Sequence, residues 1–171
     1  MVTVSPSDCA LPEISSSENW CYVLRLPNDL HSARVARMTV RAALTSHGLK
    51  ELLDVTELLT SELVTNAYRH AKGPASLRLR ALGEGRLRVF VWDTDPYIPP
   101  PFDEPPAKGA PPPAAPPPVD ATHGRGLLLV RQCADAWGGW PLGGDRFGRS
   151  AGKLMWFEVG GAGARCQREV A

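Results

Sequence analysis

Ser61-Glu62-Leu63-Val64-Thr65-Asn66-Ala67-Tyr68-Arg69-His70 is a helical stretch whose inward face is polar where it should be apolar. At about 100° per residue, Leu52, Val55, Leu59 and Leu63 form one apolar stripe, and Glu62, Asn66 and His70 fall on or beside it. The core-facing side therefore changes character toward the end of the helix. Taking an amide out of water without a partner costs roughly 2–7 kcal/mol, and an ionised carboxylate costs more. A binding site at the C-terminal half accounts for that placement. Glu and Asn at a four-residue spacing also occur together by chance, so the rest of the chain has to discriminate.

Working outward, the helix spans about 52–72 and ends at Gly73-Pro74. Before it, 29–47 lacks proline, is rich in Ala, Arg and Leu, and stops at Gly48, where a helix C-cap belongs. Residues 20–26 form an apolar and aromatic run closed by Pro27, which suits a strand near a sheet edge. Residues 1–19 mix Ser, Pro and acidic residues without period and read as a flexible leader. On the other side, 75–82 and 86–92 alternate and are joined by Gly83-Glu84-Gly85, a hairpin signature. The segment 94–123 then holds most of the chain's 17 prolines, favours extended polyproline II conformations and is expected to stay out of the core. A short helix over 127–134 follows, with closing strands at 137–142 and 153–159 around Gly143-Gly144 and a flexible tail over 160–171.

That order predicts one α+β domain over residues 20–159, a two-layer α/β sandwich with a mixed, mainly antiparallel sheet and the helices on one face. A length of 171 residues suffices for one core without metal or disulfide support. The net charge of +1 supplies no global field toward nucleic acid or an anionic membrane, so partners must be recognised locally. Cys9, Cys21, Cys133 and Cys166 show no zinc spacing and are expected to be reduced thiols. No secretory leader or membrane-spanning run is present, which makes the cytoplasm the expected location.

Two further features carry chemistry. Val89-Phe90-Val91-Trp92-Asp93 is a hydrophobic strand ending in an acid at the mouth of the proline-rich segment. A carboxylate there can accept a hydrogen bond from an exocyclic amine such as that of adenine, or simply start the turn before Pro96. Gly124-Arg125-Gly126 leads into the helix beginning near Leu127. Glycines let backbone N–H groups approach a phosphate, and a helix N-terminus adds donors and a positive dipole end.

In this order, the Glu62–Asn66 helix, hairpin, strand-end Asp93, loop, Gly124-Arg125-Gly126 and closing strands resemble the histidine kinase/Hsp90-like (GHKL) ATPases with the Bergerat fold. More narrowly, the chain is similar to anti-sigma-factor serine kinases. The resemblance covers residues 20–159 and is strongest at Glu62 to His70, Gly124 to Val130 and Gly152 to Trp156. It implies ATP and Mg2+ as cofactors, Asn66 as the Mg2+ ligand and Glu62 as the general base. It also implies that Asp93 fixes the adenine amine, and that Gly124, Arg125, Gly126 and Leu127 close over the phosphates as part of a lid hinged on 94–123. Arg69 and His70 could contact phosphate oxygens, or be a solvated arginine and a core-edge histidine.

The implied partners are a sigma factor and an anti-anti-sigma (STAS) protein, with a homodimer formed through the first strand and helix. Arg34, Arg37 and Arg41 recur at helical spacing and offer a docking stripe for an acidic surface, or a solvated face. Three features depart from the family pattern. Thr94-Asp95-Pro96-Tyr97 replaces glycines after Asp93, Leu154 replaces a small hydroxyl residue after Gly152-Lys153, and the proline-rich segment is long. They favour a second reading, a nucleotide-binding module that regulates a partner by contact alone. A third makes residues 99–118 a ligand for an aromatic groove.

Overall fold

The computed structural model describes residues 19–100, 102–103, 125–143 and 151–161. Strand β1 (Cys21–Leu26) is followed by helix α1 (Ser32–Ser46) and, through a 3-10 turn at Lys50–Leu52, by helix α2 (Leu53–His70). The hairpin β2 (Ala75–Gly83) and β3 (Arg86–Asp93) comes next, then α3 (Arg125–Cys133), β4 (Ala136–Leu142) and β5 (Gly152–Val159). The five strands form one sheet in the order β1-β2-β3-β5-β4. Every neighbouring pair is antiparallel, so the mixed pairing allowed by the sequence is not used.

Alternation decides which face the helices cover. Leu77, Leu79 and Ala81 on β2, Leu87, Val89 and Val91 on β3, and Met155, Phe157 and Val159 on β5 are buried. Their neighbours Arg78 and Arg80 are exposed and Arg88, Phe90, Leu154 and Trp156 half-buried, which makes the second face the outer one. Onto the inner face pack Ala36, Val40 and Leu44 of α1, Leu59, Leu63 and Val64 of α2, and Val130 of α3, in one continuous core. Burying each of the larger aliphatic side chains contributes about 1.5–3 kcal/mol. The hairpin turn needs the left-handed region at three successive positions, and Gly83 (φ 80°), Glu84 (φ 54°) and Gly85 (φ 69°) supply it.

Polar contacts tie the two long helices together. Arg41 donates through Nε and Nη2 to the two carboxylate oxygens of Glu57 at 2.7 and 2.9 Å, and Arg37 Nη1 donates to Ser61 Oγ at 2.9 Å. Helix α1 begins at Ser32 rather than near residue 29 because Asp29 Oδ1 accepts the His31 N–H at 2.7 Å and shapes a turn first. Helix α3 in turn starts at Arg125, two residues ahead of the expected start.

The core corrects two expectations. Phe102 lies within the proline-rich segment yet is fully buried, its ring 4.7 Å from that of Trp137. Proline prevents regular secondary structure without preventing an apolar neighbour from packing. Among the described cysteines Cys21 is a free thiol, as expected, whereas Cys133 is disulfide-bonded. Spacing along a chain does not report which sulfurs meet in space. The leader (1–18), most of the proline-rich segment, including Pro111-Pro112-Pro113 and Pro116-Pro117-Pro118, and the tail from 162 lie outside the described residues. No described helix is long and apolar enough to cross a membrane.

Leu58 and Leu59 are chain neighbours on α2, but Leu58 is 40% exposed and Leu59 is fully buried. Leu59→Ala is expected to cost about 2–5 kcal/mol of unfolding free energy. Leu58→Ala should change it by less than about 1 kcal/mol. Chemical denaturation of the two variants side by side checks this.

Candidate functional site

A cavity of about 460 Å3 lies between the C-terminal half of α2, the start of α3 and the chain that follows β3. Glu62, Thr65, Asn66, Arg69 and His70 form its α2 wall. Positions 62, 66 and 69–70 stack on one side of a helix, so a single face supplies a carboxylate, an amide, a guanidinium and an imidazole. Glu62 and Asn66 are half-buried, at the margin where the apolar stripe of Leu59 and Leu63 gives way to the opening. The two side chains make no described hydrogen bond to each other, which leaves both available to a ligand.

Gly126 and Leu127 form the opposing wall. The first turn of α3 rests directly on Glu62: a Cβ built at Gly126 would lie 2.9 Å from Glu62 Cδ, 3.1 Å from its Cβ and closer still to Oε2. A larger residue here would have to push the Glu62 carboxylate aside. The first N–H groups of a helix have no intrahelical acceptor, and α3 brings this end to the carboxylate-bearing wall. Gly124 and the side chain of Arg125 lie outside the described residues; the backbone of Arg125 is the first helical residue of α3.

The floor is built where β3 and β5 meet. Asp93, the last residue of β3, is in register with Lys153 near the start of β5. Both are buried, at 2% and 1% exposure. Lys153 Nζ donates to Asp93 Oδ1 at 3.1 Å, to Asp95 Oδ2 at 2.9 Å and to the Asp95 carbonyl at 3.2 Å. The Asp95 N–H donates to Asp93 Oδ1 at 2.8 Å. The strands can close this tightly because residue 152 is glycine: a Cβ there would fall 3.1 Å from the Asp93 carbonyl carbon and closer still to its oxygen.

Burial pushes the Asp93 carboxyl above its ordinary value, against the pull of the Asp95 N–H and the Lys153 charge. For Asp95 burial pulls the same way but is outweighed. The Lys153 hydrogen bond, the Tyr97 N–H and the Lys153 and His70 charges hold its carboxyl below the usual range.

Glu62, Asn66, Arg69, His70, Gly126 and Leu127 thus come together around one opening. Asp93 does not line the cavity itself; Asp95 and Lys153, its two hydrogen-bond partners, do. Sequence reasoning passed over those two, along with Thr65, Tyr97 and Pro99. Lys153 adjoins Gly152 in a stretch already singled out, but strand register was needed to turn it inward. The same register places Leu154 opposite Trp92 and Trp140, on the outer face, so the departure at Leu154 does not touch the cavity.

The arginine stripe of α1 is largely spent within the fold. Arg41 pairs with Glu57 and Arg37 bonds Ser61, which leaves Arg34 as the exposed member with no described partner.

A family model described as the histidine kinase-like ATPase domain matches residues 26–138. No curated protein sequence matches the chain.

Gly126→Ala should favour the helix by about 1 kcal/mol but displace Glu62, for a net loss of about 1 kcal/mol. The double variant Gly126→Ala/Glu62→Ala should recover that loss. Thermal unfolding of the two single variants and the double variant gives the coupling directly.

Proposed function

The chain belongs to the histidine kinase-like ATPase family, and from that membership together with the cavity we propose an ATP-dependent protein serine kinase that phosphorylates an anti-anti-sigma STAS partner and sequesters a sigma factor. One observation carries this reading: Glu62 and Asn66 share the wall of a cavity whose opposite side is a glycine-opened helix N-terminus.

The residues fit a magnesium nucleotide. The cavity volume falls in the range of about 300–1,000 Å3 that encloses small ligands. Among the described residues no cluster of three or more His, Cys, Asp or Glu could hold a metal by itself. A hard cation here would take the amide oxygen of Asn66 and complete its shell with phosphate oxygens and water. Mg2+ in such a site neutralises charge on the phosphate oxygens.

In this reading Glu62 accepts the proton of the partner's serine hydroxyl. The α3 N-terminus, with Arg69 and His70 across the opening, holds the phosphates by donated hydrogen bonds and opposite charge. Asp93 accepts the adenine amine at the floor. Arg34 and the adjoining face of α1 meet the protein partners. Two copies pair through β1, an edge strand, and α1, where Tyr22, Val23, Val35 and Met38 are 44–62% exposed. The cytoplasm is the compartment this role requires.

A second reading, a nucleotide-binding module acting by contact alone, is favoured by the burial of Asp93 and its tie to Lys153. Phosphate transfer separates the two.

Asn66→Ala is expected to weaken Mg2+-dependent ATP binding by about 30-fold or more, the loss of a hydrogen-bonding group to a charged partner. Calorimetric titration with and without Mg2+ measures it; an unchanged isotherm removes the metal role. Glu62→Gln should bind ATP within about threefold of wild type yet lower transfer to a STAS serine by about 100-fold or more. Equal labelling of the partner by variant and wild type would end the assignment of Glu62 as base.

A further inference from the structure

The helices cover one face of the sheet, and the other face has a chemistry of its own. Register sets its outward side chains in rows. Arg80 lies opposite Arg88, which lies opposite Glu158; in the next row Arg78 lies opposite Phe90, which lies opposite Trp156. Arg25 on β1 and Arg86 on β3 hold further outward positions, so among the described strand residues five arginines face outward against one carboxylate, Glu158. The whole chain is nearly balanced, at 19 basic to 18 acidic residues, so charge has been segregated onto this face.

Two arginines set directly across a strand pair repel, which costs the fold stability. Glu158 relieves only one of them: Arg88 donates to it through Nε at 2.6 Å and through Nη2. Arg78 and Arg80 are exposed and have no described partner. Beside them the face turns aromatic. The Arg88 guanidinium lies 4.7 Å from the Trp156 ring centroid and 5.8 Å from that of Phe90, and Trp156 stacks on Trp140 at 5.6 Å. Trp140 is 45% exposed on the edge strand β4.

We propose that this face docks an extended acidic segment of another protein, with Asp or Glu at alternate positions against Arg78 and Arg80 and an apolar side chain against Trp140 and Trp156. Charge selects the sign of the partner. Spacing selects its conformation: residues two apart on a strand are about 6.6 Å apart, and alternate residues of an extended segment repeat at the same interval. Each guanidinium can take a carboxylate bidentately. Residues 1–18 are acidic too, but Asp8, Glu13 and Glu18 are five apart. In an extended segment that spacing puts successive acids on opposite sides, which does not match the arginine pair. A single-stranded nucleic acid needs ring faces for its bases, and those of Phe90 and Trp156 are already engaged by Arg88 and Trp140. The surface lies across the sheet from α2 and the cavity, so it stands independently of the nucleotide reading.

Defined probes test this. The full chain is titrated with a fluorescein-labelled peptide of about ten residues, in which glutamate alternates with threonine and leucine, and binding is read by anisotropy. A Kd on the order of 10 µM is expected at low salt. Raising the salt to about 0.5 M should weaken binding by about fivefold or more. Arg78→Gln/Arg80→Gln should weaken it by about tenfold or more, the loss of two charge-assisted contacts. Trp140→Ala should weaken it by about threefold or more. Arg34→Gln/Lys50→Gln removes the same charge from the helical layer and should leave binding within about twofold. All five substituted residues are exposed, and far-UV circular dichroism checks that each variant is folded.

A peptide of the same composition with its glutamates in one block should bind about threefold more weakly or worse. Equal binding of the two peptides would reduce the contact to polyanion attraction and overturn the docking geometry. An oligothymidylate of about ten nucleotides binding as tightly as the alternating peptide would give the face to nucleic acid instead. Asp8→Asn/Glu13→Gln/Glu18→Gln should change peptide binding by less than about twofold, and a gain of about tenfold would make residues 1–18 the occupant. A wild type that does not bind the alternating peptide overturns the proposal, as does an Arg78→Gln/Arg80→Gln variant that binds it as tightly as wild type.

Discussion

Helix α2 has to satisfy two environments with one sequence, and the rest of the molecule is arranged around that constraint. Through Leu59, Leu63, Val64 and Ala67 it is a core helix, all but immersed against the sheet. Through Glu62, Asn66 and Arg69 it is the wall of a cavity. The two sets interleave at single-residue spacing, so the helix cannot rotate to improve one without losing the other. Its orientation is held by the apolar set, whose burial is worth far more than the polar set could recover in water. The polar set consequently faces the opening because the core leaves it no other direction.

The close approach of α3 depends on that orientation. Gly126 lies against Glu62 so closely that any side chain there would have to displace the carboxylate, so the first turn of α3 is seated on the same side chain that would act on a ligand. A carboxylate beside a ring of free N–H groups is a matched pair in the absence of ligand and a competing pair in the presence of an anion. The bidentate Arg41–Glu57 pair and the Arg37–Ser61 bond add lateral fixation between α1 and α2. Surface pairs of this kind contribute only about 0–1 kcal/mol, so they refine an arrangement that the core already imposes.

At the far end of the cavity the physics is different. Asp93 and Lys153 are buried, Asp95 is partly exposed at the cavity, and each is another's partner. Such clusters seldom add stability relative to apolar packing, but they are intolerant of losing one member and they specify geometry. Here the geometry specified is the junction of β3 and β5, where the strands must register at Asp93 and Lys153 for the ion pair to form. The sheet's topology and the floor of the site are therefore one and the same feature.

How much of this was legible in the residues follows from range. Hydrophobic period, glycine punctuation and the alternation of 75–82 and 86–92 are local, and they sufficed for the α+β sandwich, for the helix carrying Glu62 and Asn66, and for the short third helix. Periodicity even pointed to the cavity wall, because a polar residue on an apolar stripe is visible without coordinates. Other outcomes depended on which residues meet across long separations: Lys153 between Asp93 and Asp95, Leu154 on the outer face, Phe102 in the core, and Arg37 and Arg41 turned onto α2. A strand's inward face is set by pairing register, and one residue of slip exchanges the two faces. Local sequence carries no record of that register. The sequence by itself thus determined which side chains could do chemistry, and the tertiary structure decided which of them share a cavity, because only the packed core fixes the direction in which each one points.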